Sequence, residues 1–191
     1  MSLLKTIKIT IALCVLTLTA CTYSKVTTDI ATEVNVDIAP QGSMALELPA
    51  KALFNTELSQ QMDISYGDTS HQLVLLTAFN ANGIAIVALT PAGIPLFELS
   101  FNENKQIEVT KHLPISGLKP EYVLADLQLV YWPITQLNQQ LSNGLRIIEN
   151  SQGQRTVLQN NQPVIRIQPQ GNTLQYQHLL RNYHFTITNI E

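Results

Sequence analysis

Two periodicities divide the chain. Over residues 120–133, PEYVLADLQLVYWP, the apolar residues Val123, Leu124, Leu127, Val130 and Tyr131 recur at i, i+1, i+4, i+7 and i+8. That spacing places them on one side of a 3.6-residue helix, which needs an apolar surface to cover it. Pro120 suits the first helical position, Glu121 the positive helix start, and Pro133 biases Trp132 out of the helical region. Residues 134–141, with Leu137 and Leu141 four apart, predict a second short helix ending at Asn143-Gly144.

From Gln60 onward the rest of the pattern is alternation. Met62, Ile64 and Tyr66 alternate with Asp63 and Ser65, and Gly67-Asp68 turns the chain into a strand over residues 73–79. Residues 84–89 are apolar at every position, which predicts either a central strand covered on both faces or one whose second face lines a cavity. Phe97, Leu99 and Phe101 alternate with Glu98, Ser100 and Asn102, and a turn leads to Ile107 and Val109. After the helices, residues 146–149 and 155–158 flank Ser151-Gln152-Gly153 as a hairpin, followed by strands over 164–168 and 174–180. Tyr183, Phe185 and Ile187 close the chain, alternating with His184, Thr186 and Thr188. The strands form an antiparallel meander.

The first 21 residues carry a different signal. Lys5 and Lys8 precede a mostly apolar run over residues 9–18, too short for a comfortable span of about 20 residues. Leu18-Thr19-Ala20-Cys21 then resembles a bacterial lipobox, where a signal peptidase cuts before an acylated cysteine. The reading is a signal peptide over residues 1–20 and lipidation of Cys21. Cys14 and Cys21 are the only cysteines, so the folded part has no disulfide and relies on its core. Removing 20 of the 191 residues leaves 171, enough for one domain. Residues 21–48 read as an acylated start, a tether that places the domain roughly 25 to 30 Å from the bilayer on average, and a lead-in strand in which Val34, Val36 and Ile38 alternate with Asn35 and Asp37. The main domain spans 49–191.

Charge excludes one partner class. Lys and Arg total 11 against 14 Asp and Glu. Without Lys5 and Lys8 the balance becomes 9 against 14, so no basic surface attracts nucleic acid. Membrane attachment would come from acyl chains on Cys21. Thr22 stands where Asp would favour inner-membrane retention in bacterial lipoprotein sorting, which points to the outer membrane.

Candidate chemistry is sparse. His71, His112, His178 and His184 lack the paired spacing of metal ligands, and no nucleophile elbow or phosphate-cradling loop appears. The expectation is a protein without catalytic residues, metal or cofactor. Asp126 lies inside the apolar helix and needs hydrogen-bond partners, with Gln128 or a strand backbone as candidates. Tyr131 and Trp132 read as core anchors.

The segments Leu124-Ala125-Asp126-Leu127-Gln128-Leu129-Val130-Tyr131-Trp132-Pro133 and Leu89-Thr90-Pro91-Ala92-Gly93-Ile94-Pro95-Leu96-Phe97, with the lipobox, resemble the DUF3261 family of small bacterial lipoproteins. That family is similar in architecture to the outer-membrane lipoprotein receptor LolB. The resemblance implies an α+β, mainly β fold: a curved antiparallel half-barrel with helices across its open concave face. It also implies handling of an acyl chain or lipid-linked product at the outer membrane, with a LolA-like periplasmic carrier as a partner, since family members are often associated with aryl-polyene or fatty-acid-type biosynthesis. Leu73, Leu75, Phe79, Phe97, Leu99, Phe101, Tyr183, Phe185 and Ile187 from the sheet, with Leu124, Leu127 and Tyr131 from the helix, would line an apolar cavity or a packed core. On the loop over residues 90–95, Ala92 takes the place of a membrane-inserting leucine of LolB, with Ile94 beside it.

Overall fold

The computed structural model describes residues 27–31, 35–113 and 119–190. In chain order its strands are β1 (Thr27–Ala31), β2 (Asn35–Ala39), β3 (Gly42–Ala45), β4 (Thr56–Tyr66), β5 (Thr69–Asn80), β6 (Gly83–Leu89), β7 (Pro95–Asn102) and β8 (Ile107–Lys111). Two helices follow, α1 (Pro120–Tyr131) and α2 (Ile134–Gln140). The remaining strands are β9 (Leu145–Glu149), β10 (Arg155–Gln159), β11 (Gln162–Gln170), β12 (Thr173–His178) and β13 (Tyr183–Asn189).

Eleven strands form one antiparallel sheet in the order β1-β8-β7-β6-β5-β4-β13-β12-β11-β10-β9. Two meanders, β4 to β8 and β9 to β13, meet where β13 pairs with β4, Phe185 standing opposite Ile64. The ends of the order, β1 and β9, do not pair with each other, so the sheet is a half-barrel rather than a barrel. Tight turns make this possible. At Gly83, a Cβ would stand 2.0 Å from the Phe101 carbonyl oxygen, so only glycine lets β6 leave its turn against β7.

The inward positions of the strands make one core. Phe79 on β5, Ile84, Ile86 and Ala88 on β6, Phe97, Leu99 and Phe101 on β7, and Ile107 and Val109 on β8 are all buried. The strand expected to be apolar on both faces is not covered on both: in β6 Ala85 is exposed and Val87 half-buried. Its outer face is made of small or β-branched side chains that tolerate solvent, so it requires neither a second layer nor a cavity.

Helix α1 has the expected ends, with Pro120 in its first turn and Trp132 in extended conformation at the C-cap. Its buried face is rotated from the expected one. Leu124, Ala125, Gln128, Leu129 and Trp132 are buried to 0% exposure, whereas Val123 and Leu127 are half-buried. The reason lies upstream. The expected lead-in strand is β2, and it and the residues after it are built into the domain: β2 and β3 form a hairpin, Val36, Ile38, Met44 and Leu46 are buried, and β2 packs on α1. Burying four such side chains offsets the cost of ordering the segment. The helix is therefore covered on two sides, by the sheet and by this arm.

Polar groups hold the arm in place. Gln128 pairs with the main chain of Glu47 as a strand neighbour would, its Oε1 accepting from the Glu47 N–H at 3.1 Å and its Nε2 donating to the Glu47 carbonyl at 2.9 Å. The Trp132 indole N–H donates to the Leu48 carbonyl at 3.1 Å. Helix α2 protects the free edge of β9, where the Asn138 amide both donates to and accepts from the Ile147 backbone at 2.9 Å.

Candidate functional site

The concave face brings most of the expected residues together. Leu75, Phe79, Phe97, Leu99, Phe101, Leu124, Phe185 and Ile187 are buried in one cluster, and Leu127, Tyr131 and Tyr183 pack against it half-buried. Leu73 stands apart from that cluster, half-buried where β5 runs on past the end of β6 at Leu89. Ala92 and Ile94 are exposed on the β6–β7 loop, which is closed by a 2.9 Å bond from the Gly93 N–H to the Thr90 carbonyl. Cys21 and the signal segment lie outside the described residues.

The contact between α1 and the sheet is filled. Phe79 meets the rings of Tyr131 and Trp132 at centroid distances of 6.0 and 5.7 Å. Surface cavities of about 650 and 240 Å³ lie elsewhere, the first bounded by Pro40, Gln41, Asn143, Gln159 and Asn160, the second by residues of β9, β10 and β11. Neither touches α1 or the expected lining.

What the concave face does contain is a buried polar cluster at the middle of α1. Asp126 is 8% exposed and accepts a hydrogen bond from the Tyr176 hydroxyl on β12 and another from Tyr183 on β13. Tyr176 stacks on Phe185 at 4.4 Å, and Tyr183 meets both edge-on. Burial raises the Asp126 carboxyl to about 7, against the lowering effect of both hydroxyls and of Arg181. Arg181, between β12 and β13, lies 4.2 Å over the Tyr122 ring in the first turns of α1 and donates to the Asp37 carbonyl of β2. His178 is buried beside them, with Nε2 3.0 Å from the Ile38 carbonyl oxygen, and burial lowers its pKa to about 4. Gln128, expected as an Asp126 partner, is engaged by Glu47 instead. The tyrosines are 50 and 57 residues from Asp126 in sequence, and only their inward register on β12 and β13 could have suggested the pairing.

The C-terminal end of α1 is held differently. Arg155 on β10 donates from one Nη to the carbonyls of Leu129, Val130 and Trp132 at 2.9, 2.8 and 3.0 Å, and from Nε to Glu149 at 2.7 Å. A cation placed on the last carbonyls satisfies acceptors that the helix leaves open and suits its negative end. Gln60 donates to the Tyr131 hydroxyl at 2.6 Å and to Asn189 at 2.7 Å. Sequence pattern did not single out Arg155 or Gln60, because each acts through the tertiary neighbourhood of the helix end.

The arrangement is one of support and closure. Asp126, Tyr176 and Tyr183 line neither of the two surface cavities. Among the described residues no group of three His, Cys, Asp or Glu side chains could hold a metal ion, and no helix is long and apolar enough to cross a membrane. A search of curated proteins finds no match. The family model described as "Protein of unknown function (DUF3261)" matches residues 57–191, from the start of β4 through β13, and the chain belongs to that family.

Proposed function

We propose that the protein is a non-enzymatic outer-membrane lipoprotein, anchored through an acylated Cys21 with its domain in the periplasm, that binds or helps transfer an acyl chain or lipid-linked product. The observation that supports this reading best is an open half-barrel whose concave face is apolar on β5 to β8 and is closed by a single helix. Because that face is filled by α1, the ligand enters by displacing helix side chains, each ligand methylene recovering about 0.8 kcal/mol of the apolar burial that is lost. A LolA-like periplasmic carrier is the partner that would deliver such cargo. The full exclusion of solvent from Leu124, Ala125, Leu129 and Trp132 favours a second reading, a structural lipoprotein of the envelope with a packed core.

Lipid extraction and acyl-chain titration of protein purified from membranes separate the two. Co-purified lipid and affinity that rises with chain length are expected, with weaker binding by a folded Leu99→Trp variant. No lipid, no length dependence and a merely unstable Leu99→Trp would favour the packed scaffold. The anchor is tested apart: Cys21→Ala should release the protein from the membrane fraction, and retention in a salt-washed pellet would overturn it.

A further inference from the structure

Seven large apolar side chains are exposed among the described residues, and four of them share one rim of the half-barrel. The strand directions place them there. The β4–β5 tip carries Tyr66 (65% exposed), the β6–β7 loop carries Ile94 (53%), Leu113 (36%) follows β8, and Leu180 (53%) sits in the β12–β13 turn. Neighbouring loops on this rim are tied together: the Leu113 N–H donates to the Leu96 carbonyl at 3.2 Å, and the Gly67 N–H to the Asn182 carbonyl at 3.2 Å. The β10–β11 tip of the same rim is polar, with Asn160 and Asn161, and the tips of the opposite rim carry Asn82, Glu103, Asn104, Gln152 and Asn172. Of the other exposed apolar residues, Leu76 and Ile148 lie within strands, and Ile190 follows β13 at the opposite rim.

The chain that precedes the described residues joins at this same rim. β1 begins at Thr27, opposite Lys111 at the end of β8, one residue before His112 and Leu113. Cys21 is six residues earlier, a reach of at most about 20 Å. A membrane anchor attached there brings this rim, and not the polar one, to the bilayer.

We propose that the rim formed by Tyr66, Ile94, Leu113 and Leu180 is a membrane-docking surface that inserts shallowly into the lipid interface and orients the half-barrel on it. The occupant is a phospholipid bilayer: four isolated apolar tips on separate loops, one of them a tyrosine, suit the amphipathic interface zone better than the continuous packed core of a protein contact. The proposal rests on the membrane-anchored reading for its geometry but not on acylation itself, because any attachment through the preceding chain emerges at Thr27.

The test uses the full chain carrying Cys14→Ser and one added cysteine, Tyr66→Cys, Ile94→Cys, Leu113→Cys or Leu180→Cys, labelled with an environment-sensitive fluorophore. Asn82→Cys and Asn104→Cys report the opposite rim, and protein without an added cysteine reports any label on Cys21. Thr69→Cys and Ala92→Cys, exposed on two of the same tips, replace any variant that loses its circular dichroism. In vesicles of phosphatidylethanolamine and phosphatidylglycerol, labels on the apolar rim should shift to the blue and be quenched by a headgroup-proximal lipid quencher, while those on the opposite rim do not. Equal, water-like emission from both rims overturns the proposal, as does a blue shift without vesicles, which would mark a protein interface. Mass analysis of the N-terminal peptide reports acylation separately: an acylated protein with water-exposed rim labels leaves the anchor standing and removes the docking surface, and an unacylated protein with embedded labels does the reverse.

Discussion

The two ends of α1 are held by different kinds of chemistry. At the C-terminal end an indole, an amide and a guanidinium donate to fixed carbonyls and a phenol, and Trp132 fills the space between them. From its middle toward the N-terminus the contacts run through Asp126, Arg181 and His178; Arg181 keeps its charge, but burial opposes the ionised forms of Asp126 and His178, so this part responds to pH. The cover of the concave face is therefore conditional at one part of the helix and fixed at the other. If an acyl chain displaces the helix, the part around Asp126 is the one whose contacts can be weakened by a change of charge, with the C-terminal end as the fixed point.

The largest effect should come from the fixed end. Trp132→Ala removes a fully buried ring and its bond to Leu48, and is expected to cost about 3–5 kcal/mol in urea unfolding. A loss near 1 kcal/mol would mean that the site collapses easily and that this end is not the anchor.

Next is the conditional end, read through pH. Asp126, raised from 3.8 to about 7, is protonated when folded and ionised when unfolded across that window. Its contribution to stability therefore falls as pH rises from about 4 to 7, by up to ~4 kcal/mol. His178, lowered from 6.5 to about 4, is neutral when folded and charged when unfolded between those values. Its contribution rises with pH over that window, by up to ~3 kcal/mol. The two slopes oppose each other. Relative to the parent, Asp126→Asn should gain stability as pH rises from about 4.5 to 7.5, and His178→Asn should lose it. Urea midpoints at several pH values check the signs, and parallel curves for parent and variants would show that neither group is perturbed.

A smaller effect should follow Arg155→Ala, which leaves three helix-end carbonyls without their donor and is expected to cost about 2 kcal/mol. Arg155→Lys should recover only part, since an ammonium cannot serve the three carbonyls and Glu149 from one planar group. Full recovery would show that charge at the helix end, rather than the geometry of the bonds, is what matters.

These contrasts also mark what could be read from residue order. The limits of α1 follow from Pro120, Glu121 and Pro133, because backbone constraints act within a few residues. The strands of both meanders follow from period-two alternation, since every inward residue must find the same core. The rotated face of α1 did not follow. Its buried side was decided by the arm at residues 35–48, whose order comes from contacts with a helix some 80 residues later, Glu47 with Gln128 among them.

By itself, then, the sequence determined the element types, the antiparallel connectivity between neighbours and the apolar character of the concave face, all of which arise from local periodicity and turn chemistry. Tertiary structure alone decided that the face is filled, that Asp126 is satisfied by two tyrosines, that Arg155 closes the helix end, and that four exposed apolar tips share a rim with the entering chain. Each of those depends on which distant segments the curvature of the sheet brings side by side, and no short-range pattern encodes that distance.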